Sequence, residues 1–164
     1  MAKKALAGSS PATVALGKLG IEFVERSYAH DPAVTDFGGE AAAALGVDPA
    51  RVFKTLLAEV DGKLAVALVP VSGLLDLKAL AAVLGAKRAV MADATVAERR
   101  TGYVVGGISP LGQRTRLTTV LDEAALTHDT VLISGGRRGF DIELAPSDLR
   151  RATDAIVAPI GRAG

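Results

Sequence analysis

A lysine interrupts the apolar run Val52-Phe53-Lys54-Thr55-Leu56-Leu57. If the run is a strand, its period of two sets the Lys54 ammonium on the same face as Val52 and Leu56. A charge on an apolar face costs free energy unless something pairs with it. Two arrangements meet that cost. Lys54 either floors a pocket and presents donors and charge to a ligand carbonyl, carboxylate or phosphate, or it sits on an edge strand, snorkels to water and blocks aggregation. Three glycine pairs, Gly38-Gly39, Gly106-Gly107 and Gly135-Gly136, offer a second chemistry. Backbone N–H groups free of side chains build anion- or oxyanion-binding concavities, although turns that need positive φ use the same residues.

Other chemistries find little support. No glycine pair fits the phosphate-loop pattern ending in Gly-Lys-Ser/Thr or the Gly-x-Gly-x-x-Gly dinucleotide fingerprint, so no nucleotide cofactor is expected. The two histidines, His30 and His128, have no partner at metal-ligand spacing, and no metal site is expected. His30-Asp31-Pro32 reads as a turn. The Gly-x-Ser-x-Gly elbow of a serine hydrolase is missing, and with no cysteine there is neither a protein thiol nucleophile nor a disulfide. Aromatics are 4% of the chain, too few for a base-stacking platform. Tyr28 and Phe37 are therefore core residues or the flat walls of a pocket.

These residues need a scaffold, and 164 residues at 49% hydrophobic and 23% charged suit one globular domain over 1–164, with 1–9 a flexible N-terminus. Ser10-Pro11 begins a short helix that ends before Gly20, Ile21 to Tyr28 reads as a strand, and Asp36 precedes a helix from Phe37 to Leu45. Asp48-Pro49 opens one more short turn. The apolar runs flanking Asp61-Gly62 between Val52 and Pro70 predict a tight hairpin. Leucines at 77, 80 and 84 share one face of a helix from Asp76 to Leu84. A strand at Arg88 to Met91 precedes a helix from Asp93 to Arg100, for which Thr95 and Glu98 stand at capping-box spacing. Residues 103–121 read as a broken loop crossing between strands. Thr130 to Ile133 and Phe140 to Leu144 are strands around a Gly-rich loop, Pro146 to Thr153 is a helix, and Ala155 to Val157 is a last strand. Strands joined by both hairpins and helices predict a mixed sheet with helices around it, an α/β (α+β) fold.

Net charge is +1, from 19 Lys and Arg against 18 Asp and Glu, so no global field draws in a polyanion. The basic doublets, Arg99-Arg100 and Arg137-Arg138 among them, read as scattered solvated charges unless folding gathers them. No signal peptide and no membrane-spanning run is read, which makes a soluble cytoplasmic protein the expectation.

Two longer segments carry more specific information. Thr101-Gly-Tyr-Val-Val-Gly-Gly-Ile-Ser-Pro-Leu-Gly-Gln113 and Ser134-Gly-Gly-Arg-Arg-Gly-Phe-Asp-Ile-Glu-Leu-Ala-Pro146, with Arg51-Val-Phe-Lys-Thr-Leu56 before them, resemble the YbaK family of freestanding aminoacyl-tRNA editing proteins. The resemblance runs over nearly the whole chain in the same order and departs at Thr118-Thr119, outside the motifs. Val-Gly-Gly-Ile-Ser-Pro-Leu-Gly-Gln is most similar to the branch that deacylates Cys-tRNA(Pro).

The resemblance implies a mixed sheet curling into a partial barrel around a pocket for the aminoacylated 3′ end of tRNA. It implies Lys54 as the essential lysine, Gly106 and Gly107 as the loop facing the ester, and Ser134 with Asp141 as the polar pair framing the substrate. Tyr28 and Phe37 become aromatic walls, and Thr55, Ile108 and Ser109 become substrate contacts. It also implies no cofactor, tRNA as the partner and prolyl-tRNA synthetase as the protein that recruits it. Editing of Ala-tRNA(Pro) or another mischarged tRNA, and a non-catalytic module binding an aminoacyl-tRNA or nucleotide, are the alternatives at this point.

Overall fold

In the computed structural model, residues 9–164 are described; the N-terminus expected to be flexible lies, up to residue 8, outside them. The order is α1 (Pro11–Lys18), β1 (Val24–Ser27), α2 (Phe37–Leu45), a 3-10 turn (Pro49–Arg51), β2 (Phe53–Val60), β3 (Lys63–Pro70), β4 (Gly73–Leu75), α3 (Leu77–Val83), β5 (Ala89–Met91) and α4 (Ala94–Thr101). There follow β6 (Thr118–Asp122), a 3-10 turn (Glu123–Thr127), β7 (Val131–Arg137), β8 (Phe140–Leu144), α5 (Pro146–Thr153), β9 (Ile156–Ala158) and β10 (Gly161–Ala163). The fold is mixed α+β, as the alternation of hairpins and helices predicts.

The hairpin forms where Asp61-Gly62 puts it. Both residues have positive φ, 48° and 83°, the conformation a two-residue hairpin turn demands, and β2 pairs with β3 from Val60↔Lys63 to Phe53↔Pro70. The apolar run of β3 divides by period two. Val66 and Leu68 enter one core with Phe53, Leu57, Ile133, Phe140 and Ile142, while Ala65, Ala67 and Val69 enter another with Leu80 of α3. Both faces are covered, which is why the strand reads as a continuous apolar run.

The strands form sheets ordered β5-β2-β3-β6-β9, β1-β8-β7 and β10-β4. None closes into a barrel. A parallel bridge between Val52 and Leu132 joins the two larger sheets at the start of β2. Glu143 of β8 ties the 3-10 turn into the smaller sheet by binding Arg26, Arg51 and the Thr130 hydroxyl. Those partners, the Thr130 hydrogen bond foremost, hold its carboxyl below the usual carboxylate range.

Several elements differ from the sequence reading. The strand expected over Ile21 to Tyr28 is confined to Val24–Ser27, because the Ile21 N–H instead donates to the Leu16 carbonyl beyond α1 and its side chain joins the core. The Gly135-Gly136 pair is no loop. β7 continues through it to Arg137 with an irregular register after Ser134, and a Cβ on Gly135 would lie 2.4 Å from the Phe140 ring. The N-cap of α4 is Asp93, whose carboxylate accepts from the Thr95 N–H, so Thr95 and Glu98 form no capping box. β4 and β10 have no signal in the sequence, since each is three residues long and they pair across 86 or more positions, Leu75↔Gly161 to Gly73↔Ala163.

Candidate active site

A cavity of about 400 Å³ opens beside β2, within the range of roughly 300–1,000 Å³ usual for small-molecule sites. Six segments build its wall, one of them the turn between β3 and β4, which gives Val71. β2 gives Lys54, Thr55 and Leu57; the start of α2 with the preceding loop gives Tyr28, Asp36 and Phe37; the β5–α4 region gives Met91, Ala94 and Ala97; the loop after α4 gives Val105, Gly106 and Ile108; β7 and β8 give Ser134 and Asp141. Eight of the ten residues singled out from the sequence therefore meet in one place: Lys54, Thr55, Tyr28, Phe37, Gly106, Ile108, Ser134 and Asp141.

Gly107 and Ser109 do not line the cavity. Gly107 packs so tightly on the next strand turn that a Cβ would lie 2.7 Å from the Arg137 Cα, and its N–H donates to the Val104 carbonyl at 2.8 Å. Ser109 is fully buried, its hydroxyl accepting from the Leu111 N–H and its carbonyl accepting from the Gln113 side chain. These two residues shape the loop from behind. Gly106 does reach the cavity, at φ 90°, where a Cβ would lie 2.7 Å from Arg138 Nε and 2.9 Å from the Phe37 ring. Among the described residues its N–H has no acceptor, so it is a free donor on the wall.

Lys54 is half-buried, and its ammonium donates to the Gly73 carbonyl of β4 at 3.0 Å. Pairing places it next to Val69 of β3 on a strand that lies between β5 and β3 in the sheet, at a level that the short β5, paired only with Ala58–Val60, does not reach. A carbonyl leaves the ammonium's charge uncompensated, and a ligand anion or carbonyl would meet it.

Asp141 sits opposite Ser134 across the β7–β8 pair and opposite Arg26 across β1–β8. It is 6% exposed, and burial pushes its carboxyl up to about 7. No described residue forms a hydrogen bond with that carboxyl. Burying an acid without a partner is expensive, so the site is kept at a cost to stability, a pattern that marks ligand sites more often than scaffolds. The Thr55 hydroxyl is likewise buried without a partner. Tyr28 lies close enough that burial and then the Asp141 charge raise its phenol, and its N–H is tied to the Gly139 carbonyl. Ser134 accepts from the Gly136 N–H at 3.2 Å.

Two residues at the rim were not singled out as site residues by the sequence. Glu98 of α4 accepts from the Val105 N–H at 2.8 Å. Arg138 donates to the Val105 carbonyl through Nε at 3.0 Å and Nη2 at 2.6 Å and lies 4.6 Å above the Phe37 ring. Read along the chain, Glu98 resembled a helix cap and Arg138 a solvated charge; only the approach of the β7–β8 turn to the loop after α4 gives them a common target.

Residues 31–152 match the aminoacyl-tRNA editing domain family. A protein of Enterococcus faecalis, EbsC, assigned as a candidate Cys-tRNA(Pro)/Cys-tRNA(Cys) deacylase, is 39% identical over 121 residues, 73% of this chain and 73% of its own. The crystal structure of a hypothetical protein superposes with a TM-score of 0.83 at 27% identity, covering 93% of this chain and all of that one. That of a candidate trans-editing enzyme for prolyl tRNA synthetase gives 0.81 at 27% identity, with 95% and 98% covered. Among the described residues no helix is long and apolar enough to cross a membrane. With the lysine strand, the Gly106 loop and the Ser134–Asp141 pair gathered on one cavity, the chain belongs to the aminoacyl-tRNA editing domain family.

Proposed function

We propose that this protein is a freestanding editing hydrolase of the cytoplasm, a single domain over 1–164, that removes cysteine from mischarged Cys-tRNA(Pro). The observation that carries this reading is the composition of the cavity wall. It presents one cation, one buried acid and one free backbone donor, with no histidine and no cysteine among the described lining residues. His30 carries its ring nitrogen toward Glu40, 2.6 Å away, outside that wall.

An aminoacyl ester is already activated, so a wall without a nucleophile–base pair still serves if it orients the ester and steadies the developing oxyanion. The nucleophile then comes from the substrate. The cysteine thiol gives up its proton, its sulfur attacks its own carbonyl carbon, and the ester C–O bond breaks. The 3′ oxygen of the tRNA leaves with the proton, and water later opens the four-membered thiolactone to free cysteine.

In this scheme the Asp141 carboxylate holds the substrate ammonium, and that charge pair lowers the acid's cost of ionisation. Lys54 and the Gly106 N–H face the ester oxygens, Ser134 frames the amine side, and Tyr28, Phe37, Thr55 and Ile108 confine the aminoacyl group. Gly107 and Ser109 act through the shape of the loop. Selectivity rests on the thiol, because a pocket that measures size alone separates near-isosteric side chains poorly. A net charge of +1 supplies little non-specific affinity for tRNA, which favours recruitment by prolyl-tRNA synthetase.

The test is deacylation of Cys-tRNA(Pro), Ala-tRNA(Pro) and Ser-tRNA(Pro) by the purified protein. Fast loss of cysteine with little loss of alanine or serine is the expected result. Equal loss of alanine would transfer catalysis from the thiol to the pocket, and no loss from any of them would leave a binding module.

A further inference from the structure

Val105 is the residue before the free Gly106 donor, and both of its backbone polar groups are held by charged side chains from different elements. Glu98 of α4 accepts its N–H. Arg138, in the turn between β7 and β8, donates twice to its carbonyl. A planar guanidinium fork fixes an acceptor in direction as well as distance, and the same guanidinium covers the Phe37 ring. The Val105–Gly106 peptide includes that gripped carbonyl and the free Gly106 N–H, so the grip on one end of the plane sets the direction of the other. Gly106 allows this closeness, because any Cβ there would collide with Arg138 Nε and Phe37 together.

We infer that Glu98 and Arg138 are positioning residues that clamp Val105 from both sides, Glu98 through the Val104–Val105 peptide and Arg138 through the Val105–Gly106 peptide, and so aim the Gly106 N–H into the cavity and join it to the Phe37 wall. The inference rests on the editing reading for its catalytic consequence and on the hydrogen bonds alone for its structural one. Arg138 is exposed, so its guanidinium contributes little to the core, and its removal is expected to leave the fold intact. The neighbouring Arg137 is also exposed but lies over Phe140, 4.3 Å from the ring centroid, and makes no bond to Val105. It is the matched control for charge.

The experiment compares Arg138→Ala, Arg138→Lys, Glu98→Ala, Glu98→Gln and Arg137→Ala with the parent in two readouts: amide hydrogen exchange of residues 103–109 and single-turnover deacylation of Cys-tRNA(Pro). A reacting group misplaced by about 1 Å costs up to ~100-fold. Arg138→Ala is expected to speed exchange of the loop and to lower the chemical rate about 10- to 100-fold with little change in half-saturation. Arg138→Lys, which keeps charge but loses the fork, stays impaired. Glu98→Gln, whose amide oxygen still accepts, recovers most of what Glu98→Ala loses.

Unchanged loop exchange in Arg138→Ala would overturn the clamp whether or not the protein deacylates. So would a salt-sensitive rise in half-saturation shared equally by Arg137→Ala, which is the signature of phosphate contacts. Faster loop exchange in Arg138→Ala, beside a parent that turns nothing over, would keep the clamp and remove the editing reading.

Discussion

Lys54→Ala is expected to lower deacylation about 100- to 1,000-fold, the range seen when one preorganised donor to a developing oxyanion is removed. The protein should remain folded. Its ammonium makes one hydrogen bond, to the Gly73 carbonyl, and losing a bond worth about 1 kcal/mol moves the melting temperature of a chain this size by about 2–4 °C. Lys54→Arg keeps the charge in a wider, planar head and should recover only part of the rate. Single-turnover deacylation beside thermal melts separates the two effects. A variant that melts like the parent and deacylates as fast would make Lys54 a solvent-seeking lysine with no part in the chemistry.

The second large effect is opposite in sign for stability and for function. Asp141 has a carboxyl raised to about 7 by burial, whereas in an unfolded chain it titrates near about 3.9. Below pH about 4 both states hold the proton and nothing is lost. Between the two values the unfolded chain releases its proton and the folded one keeps it, so stability falls as pH rises. Above pH 7 the whole cost is present, on the order of 4 kcal/mol. Asp141→Asn removes the ionisation and keeps the shape. It should raise the melting temperature at pH 8 by about 5 °C, allowing for the residual cost of a buried amide, and should change it little at pH 4. The same substitution removes the anion proposed to meet the substrate ammonium, and kcat/KM should fall about 10- to 100-fold. Melts at the two pH values and a deacylation rate check both halves; a variant destabilised at pH 8 would show that Asp141 has a structural partner.

The balance between sequence and structure at this site follows from how far each signal travels along the chain. The hairpin was legible because Asp61-Gly62 states its own turn conformation, and α2 because Asp36 caps the Gly39 N–H three residues on. Local chemistry also showed that Lys54 stands on an apolar strand. It did not show which of two fates the lysine meets. That choice depends on β4 reaching over β2 to offer the Gly73 carbonyl, and β4 is held by β10 from the far end of the chain.

The glycine pairs divide in the same way. A turn signal was correct for Gly106 and failed for Gly135, where the Phe140 ring requires a residue without Cβ inside a strand. Ser109 shares an unbroken motif with Gly106 and Ile108, yet the turn buries it away from the cavity. Glu98 and Arg138 meet only through Val105, which stands seven residues after Glu98 but beyond the end of α4 at Thr101, and 33 before Arg138, so no continuous helix or strand links the three.

The central claim is that the substrate supplies the nucleophile while the cavity supplies orientation and charge. Its most direct measurement is the single-turnover deacylation rate of tRNA(Pro) carrying cysteine against the same tRNA carrying S-methylcysteine, with the second tested as an inhibitor of the first. The account predicts that blocking the sulfur slows release at least about 100-fold, a barrier difference of about 2.7 kcal/mol, while the blocked substrate still competes for the site. Release of S-methylcysteine as fast as cysteine would contradict it and place the attacking group on a water held by the pocket.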